Sequence, residues 1–190
     1  MPPSSPPATD LEQLRSAIRQ SDDRLLHTLA RLALLPPDAF PAPPPWPDSP
    51  PAPPIAKLFS TLSFTMTRAL KTAAPNVPQN DAPSSPPHVL AAECLAALRD
   101  RAAAARLIAE AKLRLQPDDF REAIEHNDPE RILFLLTDIP VEIRLMQRLA
   151  HLVETEVIPL PADLIQHLWV ELLIPWTKQV ERAHLMEIAP

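Results

Sequence analysis

Apolar residues recur at helical spacing along most of this chain, and no stretch alternates as a strand would. Over residues 10–35, Leu11, Leu14, Ile18, Leu25, Leu29 and Leu32 fall largely on one stripe, with Asp10 placed as an N-cap. Residues 56–73 predict a short helix through Leu58, Phe59, Leu62, Met66 and Leu70. Residues 88–115 form an Ala- and Leu-rich run of strong helix formers, which at ~1.5 Å per residue spans about 40 Å. Later starts use proline at the first helical position. Pro117 precedes Asp118 and Asp119, Pro129 follows Asp128 as cap, Pro140 opens a helix through 156, and Pro161 precedes Ala162 and Asp163. Pro175 lies inside the last pattern, 161–188, and is expected to kink it. The class predicted is all-α, a helical bundle with a long central helix.

Proline also divides the chain. Between Pro36 and Pro54, 11 of 19 residues are proline, and Pro75 to Pro87 holds five more. Such density excludes a helix interior and favours extended chain. The expected organisation is a Pro-rich tail over 1–9, a first helix over 10–35, a linker region over 36–87 carrying the short helix at 56–73, and a main helical part over 88–190. Glycine is absent from all 190 residues. Phosphate-cradling loops and dinucleotide fingerprints, which need glycine backbones, are thereby disfavoured. Helices here must stop at proline, asparagine or other polar residues.

A net charge of -6 supplies no basic stripe for nucleic acid. No apolar run approaches the ~20 residues a membrane helix needs. One cysteine, Cys94, cannot form an internal disulfide and reads as a small buried apolar residue. The first residues lack the basic end and apolar run of a signal peptide, so the cytosol is the expected location. The six histidines show no metal-ligand spacing.

Some polar residues fall on shared helix faces. Arg101 and Lys112 are 11 residues apart, close to three turns, with Ala104, Ala105 and Ile108 between them. Such a pair can bind an anion in a partly dry pocket, or simply reach past small side chains into water. Asp138 and Glu142 are spaced i, i+4 at the start of the Pro140 helix, where acids also suit the dipole. Thr177 and Glu181 repeat that spacing after Pro175, and Thr177 could serve only to satisfy local backbone groups. Asp118, Arg121 and Glu122 read as an exposed helix start with a local ion pair.

Four blocks resemble the all-helical eukaryotic chorismate mutases, in that family's order. Glu93-Cys-Leu-Ala-Ala-Leu-Arg-Asp-Arg101 followed by Leu107-Ile-Ala-Glu-Ala-Lys112 is similar to their Cys-Leu-x-x-Leu-x-x-Arg run leading into Val-Ala-Glu-Ala-Lys. Leu135-Leu-Thr-Asp-Ile-Pro-Val-Glu142 resembles their Leu-Leu-Thr…Val-Glu turn, and Ile174-Pro-Trp-Thr-Lys-Gln-Val-Glu181 their Ile-Pro-Leu-Thr-Lys-Glu-Val-Glu. Leu11-Glu-Gln-Leu-Arg15 resembles the start of their first active-site helix.

The resemblance implies rearrangement of chorismate to prephenate, in phenylalanine and tyrosine biosynthesis, by a homodimer without cofactor or metal. It implies that Arg15 and Arg101 hold the two substrate carboxylates, and that Lys112 reaches the ether oxygen and a carboxylate. Glu142 would bond the substrate hydroxyl. Thr177 would bind substrate beside Glu181, which would face the ether oxygen. Asp138 stands where the family usually has asparagine, so an acid is expected near a substrate carboxylate. Ala102 to Ala105 replace an aromatic-Gly-Lys stretch, an exchange expected to reshape the pocket. Ser85-Pro86-Pro87 replaces a Gly-Ser pair of the family's amino-acid regulatory site, so response to tryptophan and tyrosine is expected to be lost. Two other readings accompany these departures: a catalytically impaired relic of the fold, and a Pro-rich adaptor whose helices only dimerise.

Overall fold

The structure, a computed structural model, describes residues 7–35, 55–73, 85–156, 158 and 160–188, with side chains from 11 in the first helix and to 69 in the second. The proline-dense segments at 36–54 and 75–84 lie outside the described residues, as does most of the expected tail.

Helices follow the apolar pattern closely. They are α1 (Pro7–Ala33), α2 (Ile55–Ala73), α3 (Pro87–Leu115), α4 (Pro117–Glu125), α5 (Pro129–Leu136), α6 (Ile139–Thr155), α7 (Ala162–His167) and α8 (Ile174–Ile188). Helix α1 starts three residues ahead of Asp10, at Pro7, a position that tolerates a missing N–H. Among the described residues there is no strand.

Terminal chemistry replaces the missing glycine. Helix α3 stops at Gln116, φ -135°, where the following Pro117 disfavours a helical backbone. Asn127 takes the left-handed backbone, φ 48°, after α4. Its N–H bonds the Ile124 carbonyl and that of Asp128 the Ala123 carbonyl, both at 2.9 Å, which is a Schellman ending built on asparagine. The carboxylates of Asp128 and Asp138 then cap α5 and α6, accepting from the N–H groups of Arg131 and Val141.

Helix α3 is the central element, with α1 and α8 packed along it. Its inner face runs from Leu90 through Cys94, Leu98, Ala102, Ala105 and Ile108 to Ala111, at spacings of three or four. The main core adds Leu25, Leu29, Phe59, Leu62, Trp169 and Val180 from neighbouring elements. Each such side chain contributes about 1.5–3 kcal/mol by leaving water. Cys94 is fully buried among them, and burial pushes its thiol up to about 12. Ala102, Ala104 and Ala105 are buried too. Ala103 is exposed, and none of the alanine run lines the cavity described below.

The last pattern, 161–188, forms α7 and α8 joined by a π-helical turn, Leu168–Leu173. The expected interruption at Pro175 takes this form because proline has no N–H and its ring crowds the carbonyl four residues back. A wider turn relieves both problems. It sets Trp169 inside the core and Thr177 on the face toward α3.

Candidate active site

One cavity of about 580 Å³ collects every residue that the sequence nominated. Arg15 comes from α1, Arg101 and Lys112 from α3, Asp138 and Glu142 from the start of α6, and Thr177 and Glu181 from α8. The 11-residue spacing on α3 therefore faces inward. Arg101 is 3% exposed, which excludes the reading in which it reaches into solvent.

Arg101 is fixed on two sides. Its Nε donates to Thr177 Oγ1 at 2.8 Å, and its terminal NH1 pairs with Asp22 Oδ1. The Trp169 indole N–H donates to the same Asp22 oxygen at 3.0 Å. Thr177 in turn donates to the Leu173 carbonyl at 2.6 Å, so it satisfies its own helix and orients the guanidinium together. Burial raises the Asp22 carboxyl above the usual range, opposed by the Arg101 charge and the Trp169 bond. Its second oxygen, Oδ2, has no hydrogen-bond partner.

Lys112 donates to the Leu136 carbonyl at the C-terminal end of α5, where the helix dipole favours a cation. Its ammonium is 3.9 Å from Glu181 Oε2. Burial lowers the Lys112 pKa, and the charges of Glu181 and Asp138 oppose that fall. Burial dominates at Glu181 as well, lifting its carboxyl to about 7 against Lys112, Arg101 and Lys178. Oε2 of Glu181 is buried and has no hydrogen-bond partner. A carboxyl pushed by burial toward its protonated form thus sits beside an ammonium, with one oxygen lacking a hydrogen-bond partner.

At the more open side, Arg15 meets Asp138 at 2.5 Å and Glu142 meets Lys178 at 2.7 Å. Asp138 has two tasks, since its other oxygen caps α6. Arg148 of α6 reaches back to Asp23 of α1.

Sequence reasoning passed over Asp22, Lys178, Arg19, Arg144 and Arg148, which also line the cavity. The signal was present in the spacing. Arg15, Arg19 and Asp22 fall on one stripe of α1, and Arg144 and Arg148 are i, i+4 on α6. Among the described residues, no three His, Cys, Asp or Glu side chains cluster as a metal site would require.

The fold has counterparts among solved structures. The chorismate mutase of Candida albicans, in complex with L-Trp, matches with a TM-score of 0.64 at 18% identity, over 96% of this chain and 93% of that one. The chloroplast chorismate mutase of Zea mays matches with a TM-score of 0.64 at 20% identity, over 93% of this chain and 94% of that one. AtCM1 with tyrosine bound in its allosteric site matches with a TM-score of 0.61 at 19% identity, over 93% of this chain and 95% of that one.

The chain has the fold of the all-helical eukaryotic chorismate mutases. At these identities the likeness is one of fold. It extends beyond the four resemblance blocks, over more than nine-tenths of the chain. No protein-family model matches the sequence, and no curated protein matches it. In this chain the fold brings α1, α3, α6 and α8 around one cavity. No helix among the described residues is long and apolar enough to cross a membrane.

Proposed function

We propose that this protein is a chorismate mutase, converting chorismate to prephenate in the cytosol as a homodimer on the route to phenylalanine and tyrosine. The observation that carries this reading is the pairing of Glu181 with Lys112 at the inner end of a cavity that also holds Arg15 and Arg101.

The reaction is an intramolecular rearrangement of a dicarboxylate. A bond to an ether oxygen breaks, a carbon–carbon bond forms, and no nucleophile is needed. Catalysis then consists of holding the dianion in its compact shape and stabilising charge on the departing oxygen. Arg101, held rigid by Asp22 and Thr177, keeps part of its planar fork for one carboxylate. Arg15 receives the other. Protonated Glu181 donates from the oxygen that lacks a partner, and Lys112 places its charge on the same ether oxygen. Glu142 accepts from the substrate hydroxyl while Lys178 balances its charge.

The ion pair of Arg15 with Asp138 favours a second reading, a relic that keeps the fold without turnover. In that case the carboxylate site on Arg15 is already filled. One measurement separates the two: loss of chorismate absorbance with purified protein. Saturable turnover supports the mutase, whereas a rate equal to the uncatalysed one leaves the relic.

A further inference from the structure

The cavity concentrates positive charge in an acidic protein. Its lining takes seven of the 18 Lys and Arg but only five of the 24 Asp and Glu, in a chain of net charge -6. An anionic substrate is repelled by the molecule as a whole and drawn toward this one opening. Most of the lining cations are already engaged. Arg15 is held by Asp138, Arg19 by Glu12, Arg101 by Asp22, Arg148 by Asp23 and Lys178 by Glu142. Lys112 rests on the Leu136 carbonyl and Glu181. Arg144 has no hydrogen-bond or ion-pair partner among the described residues, and it is exposed.

Its position gives that free charge a direction. Two ion pairs bridge α1 to α6 along the cavity, Arg15–Asp138 at one end of α6 and Arg148–Asp23 further along it. Arg144 stands between them in sequence, one turn before Arg148, on the same cavity-lining face. An arriving carboxylate meets a guanidinium here with no internal rival to displace. At Arg15 or Arg101 it must first compete with a carboxylate of the protein.

We infer that Arg144 is a capture residue, which takes the first carboxylate of a dicarboxylate substrate at the mouth of the cavity and hands it inward. This rests on the proposed mutase reading for the substrate's identity, but not for the binding step. Arg144 acts on capture and leaves the rearrangement itself unaltered.

The test uses two charge reversals of equal net effect, R144E and R121E. Arg121 is exposed, pairs locally with Asp118 and lies outside the cavity lining. Steering of this kind changes association by 10-fold or more, and it fades as the Debye length shrinks from ~30 Å at 0.01 M salt to ~3 Å at 1 M. The expected result in R144E is a loss of about tenfold in kcat/KM for chorismate at low salt, carried by KM and nearly abolished at ~1 M. Turnover at saturation stays within about twofold and R121E stays near wild type. Equal behaviour of the two variants, or a loss confined to kcat, overturns the inference. Calorimetric titration with prephenate, also a dicarboxylate, decides it independently of turnover. Weaker binding in R144E than in R121E supports it even if the wild type fails to rearrange chorismate, in which case only the mutase reading falls. Equal binding in both, or no binding to the wild type, overturns it.

Discussion

Arg15 of α1 and Asp138 at the cap of α6 form an ion pair at 2.5 Å that closes one end of the cavity. The pair is about a quarter to a third exposed, so its own contribution to stability is at the scale of surface pairs, ~0.2–1 kcal/mol. Its effect on ligand binding is larger, because the carboxylate occupies the guanidinium that a substrate would use. Asparagine caps helices as well as aspartate does. Asp138→Asn is therefore expected to free Arg15 while leaving α6 intact. KM for chorismate should fall several-fold, with a thermal midpoint lowered by a few degrees at most. Steady-state kinetics beside a melting curve check both parts. A raised KM in a folded variant would mean that Asp138 helps to bind substrate.

The fold was legible because each helix carries its own periodic stripe and its own stop. Leu90 to Ala111 on α3, the Pro117 and Pro129 starts, and Asp128 as a cap are local signals. The candidate site was legible to the extent that its residues share helix faces, as Arg101 and Lys112 do. What stayed hidden was partnership across helices. Nothing local to Asp22 says that it will meet Arg101, 79 residues away, or share that bond with Trp169 from 147 residues away. The π turn was also hidden, because Pro175 signals an interruption without specifying its geometry. Asp138 was expected to repel a ligand from within the pocket. Its grip on Arg15 emerges only when α1 and α6 are set side by side.

Removing Arg101 and removing Lys112 should differ in kind. Both are expected to lower turnover of chorismate by ~10²–10³, as loss of one preorganised charge donor does. Arg101→Ala also leaves Asp22 buried without its cation, and breaking a buried pair costs about 3–5 kcal/mol. Lys112→Ala relieves a desolvated ammonium and should keep nearly wild-type stability by denaturant titration. Arg101→Ala combined with Asp22→Asn should recover most of the lost stability without recovering rate. Rate recovery in the double variant would show that Arg101 acts only as a structural partner.

Ser85, Pro86 and Pro87 lead into α3, where the hydroxyl of Ser85 already accepts from Arg31 at 2.5 Å. Two consecutive prolines offer no backbone N–H to an amino-acid effector. Added tryptophan or tyrosine should therefore leave the rate on chorismate unchanged at sub-saturating substrate. A response of several-fold to either one would place a binding site elsewhere in the molecule.

Glu181 makes the sharpest statement about pH. Its carboxyl is raised to about 7 because burial penalises the charged form more than Lys112, Arg101 and Lys178 favour it. For an acid raised in the folded state, stability is fully present below the unfolded value near 4.5 and is lost as pH rises through 7. The displacement corresponds to about 3 kcal/mol. The protonated form is also the one that donates a hydrogen bond, so kcat/KM, which reports the free enzyme, should fall with a midpoint near 7. A bound dianion raises the pKa further, and the fall in kcat should lie at higher pH. Glutamine donates at any pH and carries no charge to desolvate. Glu181→Gln should flatten both profiles and remove the stability loss between pH 4.5 and 7 relative to wild type. Rate profiles and thermal melts across pH 4 to 9 read the two effects separately. If the rate still falls near pH 7 in Glu181→Gln while the melt becomes flat, Glu181 titrates as described but another group supplies the proton.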